Sequence, residues 1–185
     1  MNRTKTNGDH AISYFVRLLA LDIGCFIMSA FVFARSSNVW LRAGIQLCDF
    51  ALLLSVTYSY FYSIGNADAT LVNSGYAARR PLRGLVIGLL GNIPFMISAV
   101  VLLLARFGVV FSNFYNYYKM VNSFFFPFLY TALPVDMTVF EVQPVDIIAA
   151  LAVQLVTPLL CTFSYLVGLS RFSFKEKLFY KPIEK

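Results

Sequence analysis

Gly84-Leu-Val-Ile-Gly-Leu-Leu-Gly-Asn-Ile-Pro-Phe-Met-Ile-Ser-Ala-Val-Val-Leu-Leu-Leu-Ala105 carries no charge between Arg83 and Arg106. A hydrocarbon core roughly 30 Å thick takes about 20 apolar residues per helix. The run meets that length and is closed by an arginine at each end, so it predicts a membrane-spanning helix over 84–105. Runs of similar character lie at 13–34, 39–64 and 145–169. Between them they leave no stretch long enough for a separate soluble domain. The chain of 185 residues therefore reads as one all-α integral membrane domain with four transmembrane helices.

Composition points the same way. Hydrophobic residues make up 59% of the chain and charged residues 13%, about half the charged share usual in soluble domains. Lipid is the expected cover for a surface without a polar coat. The net charge of +6 sits at helix ends, in loops and in the tail, where membrane orientation places it. It forms no extended patch of the kind phosphate contacts need, which argues against nucleic acid as a partner.

The basic segments are the N-terminus, the Arg79-Arg80-Pro81-Leu82-Arg83 loop and the tail over 170–185. All three are expected on the cytoplasmic side, and two cytoplasmic termini require an even number of spans. Asp136, Glu141 and Asp146, with no Lys or Arg among them, suit the outer side. The aromatic-rich stretch 107–133 holds Phe124-Phe125-Phe126 but also Asn113, Asn116, Lys119, Asn122 and Pro127. It is predicted to lie on the outer interface or to re-enter. Trp40 marks one interface of the second span, and Tyr58, Tyr60 and Tyr62 the other. Residues 1–11 are polar, and His10 is read as solvated. Arg3 and Lys5 precede an apolar run as in a signal peptide, but Asp22 inside that run favours a retained first helix. The lack of a long disulfide-bonded or glycosylated ectodomain suggests a bacterial cytoplasmic membrane.

Catalytic patterns are missing. There is no GxSxG, HExxH, GxxxxGK[ST] or GxGxxG, so no enzyme activity, cofactor or metal centre is expected. Cys25, Cys48 and Cys161 all fall in apolar runs, as small fillers of a bundle do. Phe15-Val-Arg-Leu-Leu-Ala-Leu-Asp22 resembles the opening of RDD-family membrane proteins, with an Arg and an Asp in the first span. The glycine-rich basic loop and late His-Asp pair of that family are absent here, and no site residue is carried over.

Charged or strongly polar groups inside a span are costly, so each calls for a reason. Asp22 lies nine residues from Ser13, and Asp49 nine from Trp40, each about 13 Å from its helix end at 1.5 Å per residue. Asn92 and Gln154 come to similar depth in the other two spans. Pro94 and Pro158 free the carbonyls of Leu90 and Gln154, and interrupted helices near the midplane are one way to build ion sites. Arg42, Gln46 and Asp49 share a helix face, as do Asp22, Cys25 and Ser29. Arg17 is expected to snorkel to the inner interface, and Arg42 or Arg106 to shield Asp49. Asp22, Asp49, Asn92 and Gln154 thus form a candidate polar site for a cation, a proton or a small polar solute. Structural hydrogen bonding between helices is the competing account of the same residues. Gly84, Gly88 and Gly91 form a small-residue ridge suited to close packing, within the chain or against a partner. Two functions remain open: a small transport-related protein, or an accessory or assembly subunit that pairs with another membrane subunit or with itself.

Overall fold

The computed structural model describes residues 6–35, 38–111, 113–125, 138–140, 142 and 144–170. The tail from Arg171, the segment 126–137 with Pro127 and Asp136, Glu141, and the side chains of Arg42, Gln46 and Asp146 lie outside the described residues. The described elements are α1 (Asn7–Arg35), α2 (Val39–Asn73), α3 (Arg83–Arg106), α4 (Phe114–Val121), a 3-10 turn (Ser123–Phe125), α5 (Pro144–Val153) and α6 (Val156–Leu169). Four helices are long and apolar enough to cross a membrane: Asn7–Val32, Ala43–Asn73, Arg83–Arg106 and Ile147–Leu169.

The first helix starts six residues before the expected Ser13, at Asn7. Thr6 and Asp9 close its end reciprocally: Asp9 N–H donates to Thr6 Oγ1 at 3.3 Å, and Thr6 N–H to Asp9 Oδ2 at 2.8 Å. This is the S/T-x-x-D/E box that satisfies free amides at a helix start. His10 is therefore helical rather than loose, and its Nδ1 lies 3.3 Å from Tyr60 Oη. Arg17 packs its guanidinium 4.9 Å above the Tyr60 ring, a cation–π contact where free snorkelling was expected.

The second helix runs to Asn73, past the expected end at Ile64. Gly65-Asn-Ala-Asp68 reads as a loop, yet each residue type has a packing reason to be there. A Cβ on Gly65 would strike the Tyr165 carbonyl, and one on Gly168 the Tyr62 carbonyl, so α2 and α6 cross at these two glycines. Asp68 is held by Arg83 and Tyr165. The true stop is Ser74-Gly75. Gly75 sits at φ 75°, and Gly75 N–H and Tyr76 N–H bond the carbonyls of Val72 and Leu71, a Schellman close. Gly108, at φ 76°, ends α3 in the same way through Ala105 and Leu104.

The expected single helix over 145–169 is broken. Gln154 and Leu155 form a turn between α5 and α6, with i to i−3 bonds from Gln154 to Leu151 and from Leu155 to Ala152. Pro158 has no N–H to offer the Gln154 carbonyl, which loosens the ladder there.

Asn7, Asp68, Arg83 and Tyr165 meet at one end of the bundle. So α1 and α3 begin where α2 and α6 end, and the long helices alternate in direction. The core is aromatic, with Tyr14, Phe61, Phe95, Tyr115, Tyr118, Phe124, Phe125 and Tyr165 all buried. The outer surface is also apolar. On α3, Val86, Leu90, Ile93, Ile97, Val100 and Leu104 are exposed at spacings of four and three, while Asn92 and Ser98 are buried. A water-soluble helix shows the reverse pattern.

Candidate functional site

The site is built around the turn between α5 and α6. Asn92, fully buried on α3, donates Nδ2–H to the Gln154 carbonyl at 3.4 Å. That is the carbonyl Pro158 leaves without its helical donor. Gln154, 3% exposed, donates from Nε2 to Asn122 Oδ1 at 2.6 Å and to Tyr118 Oη at 3.0 Å. Asn122 in turn donates to Ser98 Oγ and to the Tyr118 carbonyl, each at 2.9 Å. The Tyr118 hydroxyl donates to the Ala150 carbonyl at 2.7 Å. One network thus ties α3, α4 and α5 together.

The next residue extends the network to α1. Ser123 donates its backbone N–H to Asp22 Oδ1 at 2.7 Å, and its hydroxyl lies 2.6 Å from the same oxygen. The stretch from α4 through the 3-10 turn therefore enters the bundle, with Ser123, Phe124 and Phe125 buried against it. Phe124 lies edge-on to Phe95 at 5.4 Å between ring centres.

Among the described residues, four buried oxygens have no hydrogen-bond partner: Asp49 Oδ1, Asn92 Oδ1, Gln154 Oε1 and Thr157 Oγ1. Gln154 lies in the turn, Asn92 bonds its carbonyl, and Thr157 is in the first turn of α6. Buried polar atoms in native structures are nearly always paired, so these bare acceptors need an account.

The candidate residues divide into two groups. Asn92 and Gln154 come together directly, and Asp22 joins them through Asn122-Ser123. Asp49 stands apart. Its Oδ2 accepts from Ser29 Oγ at 3.0 Å, and Ser29 lies seven residues beyond Asp22, about 10 Å further along α1. Cys25, one turn beyond Asp22 on α1, also hydrogen-bonds Asp49, so Asp49 is held by the α1 face that carries Asp22. Arg106 does not reach Asp49. Its Nη1 donates to the carbonyls of Val139 and Phe140, at 3.0 and 2.8 Å. Lys119, also buried, places Nζ 4.6 Å above the Tyr115 ring.

The glycine ridge is used inside the chain. A Cβ on Gly84 would meet Tyr165 Cβ at 2.5 Å, one on Gly88 would meet Cys161 Cβ at 2.8 Å, and one on Gly91 would meet Tyr14 Cδ1 at 2.8 Å. The ridge thus seats α6 and α1 on α3. Above it, Tyr14 Oη lies 3.0 Å from Thr57 Oγ1 and accepts from the Cys161 thiol at 3.3 Å.

Sequence reading missed Ser98, Tyr118 and Ser123, whereas Thr157 shares the Gln154 face of its helix by spacing alone. Only Asn122-Ser123, a polar pair wedged against three phenylalanines, offered a signal: such a pair must be buried with partners or lie at an interface.

Fold and site together define a class: an all-helical bundle with four helices able to cross a membrane and a polar network inside. No family model, curated protein or solved structure matches the chain, so the likeness to RDD-family openings over Phe15–Asp22 stands without a family match.

Proposed function

We propose that the chain is a small integral membrane protein that binds and passes a small monovalent cation at the break between α5 and α6. The observation that carries this reading is the set of bare, buried oxygens on Asn92, Gln154 and Thr157. All three are acceptors, and oxygen acceptors are what hard cations take. A buried carboxylate, Asp22, joins the same network through Ser123 and supplies one negative charge. An interrupted helix beside such groups supports the reading further, because unwound backbone and side-chain oxygens can replace a hydration shell. The alternative of an accessory or assembly subunit draws no support from the glycine ridge, which is occupied by α1 and α6.

Flux through proteoliposomes tests the proposal. Asp22→Asn keeps an acceptor oxygen for Ser123 and removes only the charge. Wild-type vesicles are expected to pass sodium, potassium or ammonium faster than empty vesicles, and Asp22→Asn vesicles to lose at least nine-tenths of that flux. Wild-type vesicles as tight as empty ones, or equal flux in the variant, would overturn it.

A further inference from the structure

A cavity lies away from the polar network, at the end of the bundle where α1 and α3 begin. It is a cleft of ≈ 900 Å³ lined by Leu71 and Leu169 together with Asp68, Arg80, Arg83 and Tyr165. Arg83 is fixed in it. Its Nη1 lies 2.6 and 2.7 Å from the two Asp68 oxygens, and its Nε donates to Asn7 Oδ1 at 2.9 Å. Tyr165 Oη donates to Asp68 Oδ2 at 2.7 Å and braces the pair from the far side. Asp68 and Arg83 cancel in charge. Among the described residues, Arg83 Nη2 is left without a hydrogen bond, and Arg80 is exposed with no ion pair. The cleft thus presents one net positive charge and one preset guanidinium edge, with Leu71 and Leu169 also in its lining. Tyr76 and Leu82, 84% and 63% exposed, flank it with side chains suited to an interface.

We infer that this cleft binds the headgroup of an anionic phospholipid. Guanidinium groups match phosphate oxygens with paired donors. Basic pockets at helix ends are placed to take anionic headgroups, and the two leucines suit the glycerol and first methylenes below a phosphate. A free phosphate would use the same guanidinium groups but not the leucines, which favours the lipid. The inference does not depend on cation binding at the helix break.

The test is native mass spectrometry of the full chain in detergent, titrated with phosphatidylglycerol or phosphatidylcholine of identical acyl chains. Phosphatidylglycerol is expected to be retained at least five-fold better. Arg80→Ala should abolish that preference, and Arg80→Lys should keep at least half of it. Because the Arg80 side chain is exposed and makes no hydrogen bond among the described residues, both variants should melt with the wild type. Arg79 lines a smaller cleft that adjoins this one at Val72 and Leu169, so Arg79→Ala should retain most of the preference. Equal retention of the two lipids, an equal loss in Arg79→Ala, or displacement of phosphatidylglycerol by millimolar inorganic phosphate would each overturn the inference.

Discussion

Thr157 is the residue where structure and function separate most cleanly. Its hydroxyl is fully buried and bonds nothing. Removing a buried polar group that has no partner costs little, because no hydrogen bond is lost and a desolvation penalty is relieved. Thr157→Val is therefore expected to leave stability unchanged, or to raise it by about 1 kcal/mol, in cation-free buffer. A fall of that size, read from thermal melting in detergent, would mean the hydroxyl has a partner in the folded protein. Asp22 behaves oppositely. It was legible from sequence as a costly intramembrane charge, yet its partner was not. Ser123 is 101 positions away in the chain, and no periodicity links the two. Asn92 and Gln154 were read as one site, and the Pro158 argument named the carbonyl that Asn92 meets. Asp49 was read from a count along its own helix, and its partners, Ser29 and Cys25 on the neighbouring helix, were not legible as such.

At the scale of elements, hydrophobic runs gave three of the four long helices to within a few residues at one end or both. The errors fell where a polar residue has a tertiary reason. Asn66 and Asp68 suggested a loop, but Gly65 seats α2 on α6 and Asp68 is neutralised by Arg83, so the helix continues. The turn at Gln154 was half visible: the proline and the glutamine were noted, but a break and an intact helix read alike over an apolar run. The stretch from α4 through the 3-10 turn was the least legible, since aromatic and amide residues suit an interface as well as a buried position. Glycines give the sharpest test at this scale. Gly65→Ala or Gly168→Ala should destabilise by about 1–3 kcal/mol, as overpacking does, because the new methyl meets backbone that cannot move. Gly24, with nothing within 4 Å of a built Cβ, is the control. Gly24→Ala should be neutral or stabilising by roughly 0.8 kcal/mol from helix propensity. Equal melting of Gly65→Ala and Gly24→Ala would contradict the close α2–α6 crossing.

Over the whole molecule, an aromatic and aliphatic core also encloses Asp22, Asp49, Asn92, Asn122 and Gln154, while many large apolar side chains face out. The apolar surface agrees with a composition too poor in charge to coat a soluble domain. The even number of long helices also returns Asn7 and Leu169 to one end, beside the same cleft. What the sequence could not supply was the division of labour inside: a satisfied network that fixes α3, α4 and α5, and a residue of bare oxygens at the helix break. The account rests on those oxygens being a cation site, and ligand-dependent melting of the purified protein tests this most directly. Sodium, potassium and ammonium would be titrated at constant ionic strength with choline as filler. A cation at 100 times its Kd stabilises the folded state by about 2.7 kcal/mol, or roughly 5–10 °C in a chain of this size. The account predicts such a shift for one of the three cations in wild type, cut by at least half in Thr157→Val. No shift with any of them, or an equal shift in both proteins, would contradict it.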